Sequence, residues 1–149
     1  IDRSLLRLLQ RDARQTIETI SAKAGLSTSA AQRRLQRLRD NKIIVSEVAI
    51  VAPRALGQIL TFVVELELER DRPELMPMLL KWINANEQIQ QGWHITGRGD
   101  YVLIILAPSV EAFDALMESL MEQNRNVRKF TTSLALKTIK QSLRVPIES

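Results

Sequence analysis

The sequence predicts an α+β protein in two parts, an N-terminal helix-turn-helix of winged-helix-like character and a C-terminal ferredoxin-like βαββαβ domain. Three observations predict it: helical spacing of apolar residues through the first forty positions, a change to β-rich alternation after Lys42, and a charge asymmetry along the chain. Residues 1 to 52 hold ten Lys/Arg and five Asp/Glu, a balance of +5, whereas residues 53 to 149 hold eleven and twelve, a balance of −1, which together give the chain's +4. A basic module joined to a near-neutral one suggests that the first meets a polyanion and the second does something else. The division is placed at 1–52, with a strand or linker from about residue 43, and at 53–149.

Each N-terminal element has its own signal. Leu5, Leu8 and Leu9 recur at helical spacing, and Asp2 is placed to cap the first free amides of that helix. Residues 16 to 25 put Ile17, Ile20 and Ala24 on one face and end at Gly25, suited to a left-handed terminus. Ser27 then opens a third helix, TSAAQRRLQRLRDN, which aligns Ala31, Leu35 and Leu38 on one stripe while Ser29, Arg33, Gln36 and Arg37 project from the other. Two helices joined through a Gly-containing turn, the second carrying Arg and Gln outward, meet the requirements of a helix-turn-helix. The expected DNA-contacting set is Ser27, Thr28, Ser29, Gln32, Arg33, Gln36 and Arg37. Hydroxyls and helix N-terminal amides suit phosphate, and Arg and Gln suit base edges. A solvated basic face would explain RRLQRLR alone; the preceding AKAGLSTS favours DNA.

The segment IIVSEVAIVAP, ending at Pro53, reads as a strand or small wing followed by a linker. FVVELELE alternates as a half-buried strand, with Phe62, Val64, Leu66 and Leu68 on one face and Glu65, Glu67 and Glu69 on the other. A helix follows over 73–86, then strands over 89–96 and 101–107, a helix through Val110, Phe113, Leu116, Met117 and Leu120, and a long final strand over 127–139. In the βαββαβ order two helices cover one sheet face. The other face, carrying Val63 and Ile104, calls for a second copy of the chain. Such a dimer would carry two recognition helices to a pseudo-palindromic duplex site.

Composition excludes several classes. Charges at Glu47, Arg54, Glu65 and Glu67 interrupt the most apolar region, so no membrane span is expected, and the charged N-terminal stretch is unlike a signal peptide. The chain has no cysteine, which fits a cytoplasmic location. Arg98-Gly99-Asp100 spells an adhesion tripeptide, but nothing else points outside the cell. His94 is the only histidine, with no second histidine or cysteine to build a metal site, and by strand alternation is expected to face the sheet surface or a dimer partner. Trp82 is expected in the core. No activated nucleophile, phosphate loop, paired carboxylates or metal cluster argues for an enzyme, and no cofactor is expected.

Residues 1–11 (IDRSLLRLLQR), 22–39 (AKAGLSTSAAQRRLQRLR) and 95–103 (ITGRGDYVL), in that order and spacing, make the whole chain resemble the Lrp/AsnC family of leucine- and asparagine-responsive transcriptional regulators. The resemblance implies a DNA-binding regulator whose C-terminal domain dimerises, assembles further, often into octamers, and binds an amino acid or related small molecule. The family's turn of the form Thr/Ser-Gly-x-x-Asp-Tyr is matched by Thr96, Gly97, Asp100 and Tyr101. Glycine there allows positive φ and close approach of a ligand, and the carboxylate could receive an ammonium group. The resemblance also assigns effector response to Trp93, Val110, Ser133, Leu134 and Ala135, expected to share one pocket at a subunit contact. Arg98 stands where many relatives are acidic and Gly99 where many are aromatic. Arg98 would suit a second ligand carboxylate, while Asp100 could equally be a turn-capping residue that binds nothing.

A second class remains open: a small-molecule-binding or metabolic ferredoxin-like protein whose basic N-terminus contacts protein rather than DNA.

Overall fold

The computed structural model describes residues 1–148; Ser149, the last residue of the expected C-terminal domain, lies outside the described residues. Three helices come first, α1 (Asp2–Arg11), α2 (Ile17–Ala24) and α3 (Thr28–Asp40). Local chemistry sets their ends. The Thr16 hydroxyl accepts from the Thr19 amide at 3.2 Å and Ser27 from the Ala30 amide at 3.2 Å, while Gly25 closes α2 at φ 66°. Leu5, Leu9, Ile20, Leu35 and Leu38 pack into a small core, each at or below 9% exposure. Fully burying each such side chain stabilises by about 1.5–3 kcal/mol.

Asp2 departs from its expected role. Ile1 occupies the cap position of α1 without a side-chain bond, and the Asp2 carboxylate reaches α3 instead. The expected strand over 43–52 is also absent, as is any wing. A strand needs a neighbour for its amides and carbonyls, and the helical unit contains none, so Val45, Val48 and Ile50 stand 71–80% exposed.

The second unit is a four-stranded antiparallel sheet of order β2-β3-β1-β4, formed by β1 (Leu60–Leu68), β2 (Ile89–His94), β3 (Tyr101–Ala107) and β4 (Val127–Leu134). Helices α4 (Met76–Ala85) and α5 (Val110–Gln123) cover one face. Period-two alternation sends Phe62, Val64, Leu66, Leu103, Ile105 and Ala107 into this core, where they meet Leu79, Trp82, Phe113 and Leu120. The rings of Phe62 and Phe113 stack at 3.9 Å. On the opposite face Val63, Val102 and Ile104 are half-buried and Trp93 is 49% exposed. Glu67 pairs there with Lys129 at 3.1 Å, and Glu65 is exposed.

β4 stops at Leu134 rather than running to 139. Its register places Leu134 opposite Phe62, the Ala135 amide adds one bond to Thr61 at 2.9 Å, and β1 begins at Leu60, so β1 offers no partner beyond residue 136. His94 also differs from its expected orientation. It pairs with Tyr101, whose parity is that of Leu103 and Ile105, and it stacks on the Tyr101 ring at 4.8 Å on the helix-covered side.

The compact units are Val51–Ile139 and, separately, Ile1–Ile50 with the segment from Lys140 onward. By sequence that tail, as part of 53–149, is placed with the sheet domain. It joins the helical unit because the Gln10 side chain bonds both backbone groups of Val145, donating to its carbonyl at 3.0 Å and accepting from its amide at 2.6 Å.

Candidate functional site

Two groups of residues carry candidate chemistry, one in each unit. In the helical unit the apolar stripe of α3 turns Ala31, Leu35 and Leu38 inward, which leaves Ser27, Thr28, Ser29, Gln32, Arg33, Gln36 and Arg37 all exposed. The structure therefore brings every expected DNA-contacting residue onto one accessible helix. Their side chains are engaged to different degrees. Ser27 Oγ lies 3.3 Å from Ser29 Oγ while capping the helix, and Gln36 Nε2 donates to Asp40 Oδ1 at 2.8 Å. Arg33 takes part in none of the ion pairs among the described residues.

Arg37 is held. Its Nη2 donates to Asp2 Oδ2 at 2.8 Å, and Arg34 Nη1 donates to Asp2 Oδ1 at 3.0 Å, so one carboxylate bridges two guanidiniums of α3. The hydrogen bond from Arg34, followed by the charges of Arg34 and Arg37, holds the Asp2 carboxyl below its ordinary range. At the far end of α3 Arg39 grips Glu47 through two bonds of 3.0 Å, lowering the Glu47 carboxyl below its ordinary range and tying the 43–52 segment to the helix. Neither acidic partner is visible in helical spacing, because the contacts span 32, 35 and 8 positions.

In the sheet unit the β2–β3 loop folds back on β1. The Ile95 amide bonds the Asp100 carbonyl at 2.9 Å, and the Asp100 amide bonds the Leu66 carbonyl at 2.8 Å. Asp100 Oδ2 then accepts from the Leu68 amide at 2.8 Å. This carboxylate satisfies the strand end just where the β1–β4 register shifts, between Glu67 and Leu68. Gly97 adopts φ 119° in open space, as the turn reading requires. Gly99 is buried, and a Cβ there would lie 3.4 Å from Glu65 Cβ, Glu65 Oε2 and the Leu66 carbonyl. Thr96 and Arg98 are exposed.

The expected effector residues fall into two groups within one chain. Thr96, Gly97, Arg98, Gly99 and Asp100 lie at the Leu66–Leu68 end of β1, with Trp93 nearby on the uncovered face opposite Val102. Ser133 and Leu134 lie opposite Val63 and Phe62, Ala135 bonds Thr61, and Val110 follows β3 beyond Ala107, which faces Leu60. The four residue steps from Phe62 to Leu66 separate the groups by about 13 Å. The cavity of about 240 Å³ beside β2 is lined by Leu80, Ile83, Ile89, Gln91, Gly92 and Tyr101 among others, and includes none of the expected effector residues.

Among the described residues, no group of three or more His, Cys, Asp or Glu is placed to hold a metal ion, and no helix is long and apolar enough to cross a membrane.

Comparison with known proteins adds an independent finding. Residues 1–39 match the AsnC-type helix-turn-helix domain and residues 61–145 match the Lrp/AsnC ligand binding domain. The chain is 34% identical to the transcriptional regulator AzlB of Bacillus subtilis, covering 99% of this chain and 94% of that protein. It is 33% identical to an uncharacterized HTH-type transcriptional regulator of Sinorhizobium fredii, over 99% of this chain and 87% of the relative. Among solved structures, a feast or famine regulatory protein from M. tuberculosis, complexed with L-methionine, superposes with a TM-score of 0.85 at 30% identity, over 99% of this chain and 97% of that one.

Proposed function

Because the chain belongs to the Lrp/AsnC family of transcriptional regulators, we propose that it binds specific duplex DNA through α3 and adjusts that binding to an amino acid or related small molecule. The carrying observation is the exposed face of α3, where hydroxyls at the N-terminus and Arg33 beyond them stand on a helix whose other stripe is locked into the core. Thr28, Ser29 and the α3 amides suit phosphate; Gln32, Arg33, Gln36 and Arg37 suit base edges and the flanking backbone. The role is regulatory rather than catalytic, and cytoplasmic.

The sheet unit supports assembly. Val63, Val102, Ile104 and Trp93 form an uncovered face that a second copy would bury, giving a homodimer able to span a pseudo-palindromic site and, by further association, a larger ring or octamer. A subunit contact would also let the loop group from one copy meet Val110 and Ser133–Ala135 from another, the arrangement one pocket requires. The relative solved with L-methionine makes an amino acid the first effector to try. Asp100 already spends one carboxylate oxygen on Leu68, so its remaining acceptor capacity and the loop amides would hold the ligand's polar end, with Arg98 available to a second carboxylate.

A gel shift with the DNA upstream of its own gene, repeated with a panel of amino acids, tests this reading. Retarded, salt-sensitive complexes altered by at least one amino acid are expected. Absence of any retardation would leave the protein-contact reading of the basic module in its place.

A further inference from the structure

We propose that Asp2 is a specificity-positioning residue for DNA binding: its carboxylate occupies Arg37 and Arg34 as an internal substitute for phosphate, so that unspecific phosphates do not capture them. The inference rests on the reading of α3 as the DNA-contacting helix. Three features carry it. The carboxylate reaches both guanidiniums, at 2.8 Å to Arg37 Nη2 and 3.0 Å to Arg34 Nη1, which is the two-cation grip that a DNA phosphate would otherwise receive. Asp2 lies in the first turn of α1, where the helix dipole and the two arginines keep it anionic. Arg34 and Arg37 are three positions apart on α3 and so lie side by side toward α1, while Arg33 on the same helix has no ion-pair partner among the described residues.

The consequence is a division of labour along α3. Arg33 is available to any phosphate that approaches, and it contributes to sequence-independent attraction. Arg37 Nη2 must leave Asp2 before that nitrogen contacts DNA. A randomly placed phosphate has to compete with a carboxylate already in position, whereas a site that also satisfies Arg33 and the polar residues of α3 holds its phosphate or base edge where the exchange is favourable. The charge pair is partly exposed, with Arg37 at 58% and Asp2 at 34% side-chain exposure, so the exchange needs no unfolding of the core.

The test is a double-mutant cycle on the full chain, using a mixed-sequence duplex and the upstream duplex as probes, each titrated with salt. Asp2→Asn keeps the size and an acceptor oxygen but removes the charge. In the native background it should tighten binding to the mixed-sequence duplex, steepen the slope of log K against log salt by about one, and narrow the preference for the upstream duplex. In an Arg37→Ala background the same substitution should change the slope by much less. An equal steepening in both backgrounds would mean that Asp2 acts only by its charge and would overturn the proposal, as would an unchanged slope in the native background. If Asp2→Asn does not fold, single substitutions decide. Arg33→Ala should then flatten the mixed-sequence slope by about one and Arg37→Ala by clearly less; equal losses would refute the clamp. Failure of the native chain to bind either duplex would remove the DNA reading and the clamp with it, whereas native binding with an unaltered cycle removes the clamp alone.

Discussion

On α3 and in the β2–β3 loop, polar residues of similar kind are employed in opposite ways. The helix is held by a buried leucine stripe, so Thr28, Ser29, Gln32 and Arg33 are exposed and take little part in holding it. The loop has no such stripe. It is held by its own polar groups, with the Asp100 amide, carbonyl and carboxylate all bonded to neighbouring backbone. A helix can therefore offer side chains to a partner without cost to its fold, whereas the same residue types in a loop must first close the loop.

Three substitutions or conditions probe that contrast. Asp100→Ala strips the Leu68 amide of its acceptor and should destabilise the sheet unit by about 1–3 kcal/mol without any ligand present, read as a lowered melting temperature by tryptophan fluorescence, since Trp82 and Trp93 both lie in that unit. An unshifted melt would break the contrast, returning Asp100 to the role of a free ligand acceptor. Ser27→Ala should cost about 1 kcal/mol through loss of the α3 cap, and Thr28→Ala, one residue on and uncapped by any role in the fold, close to nothing; equal losses in chemical denaturation would show that the exposed face is also structural. The smallest effect is on pH dependence. The Asp2 and Glu47 carboxyls are lowered in the folded chain, first by the hydrogen bonds from Arg34 and Arg39 respectively. Their contributions are complete above the unfolded carboxylate values and disappear as pH falls through the lowered folded ones, that is, below about pH 4. Exposed pairs of this kind contribute about 0.2–1 kcal/mol each, and Asp2→Asn should make the acid decline in stability shallower.

The same contrast explains what was legible in the sequence. Helical spacing placed Leu5, Ile20, Leu35 and Leu38 inside, and alternation placed Phe62, Val64 and Leu66 inside, because burial periodicity is a local property. The Ser27 and Gly25 signals located the turn for the same reason. Contacts across the chain left no local trace. Asp2 reads locally as a cap, yet its partners are Arg34 and Arg37 of α3, and for Asp100 the sequence leaves ligand contact and turn-capping open, while the bond to the Leu68 amide comes from the distant end of β1. The β-branched composition of 43–52 favours a strand, and 135–139 were read as the continuation of β4, but a strand requires a neighbour, and neither segment is a strand in the structure. Family likeness assigns Val110 and Ser133–Ala135, with the loop, to one pocket at a subunit contact; within one chain the register of β1 with β4 sets the two groups at opposite ends of β1, so neither spacing nor the single chain brings them together.

In the proposed function α3 presents its exposed face to duplex DNA, and Arg33, outside the ion pairs among the described residues, is the cation most available there. Salt titration of the native chain and of Arg33→Ala against the upstream duplex tests it most directly. Salt-dependent binding is expected of the native chain and, for the variant, weaker binding with a slope flatter by about one. Native binding with the affinity and slope unchanged by Arg33→Ala would contradict it.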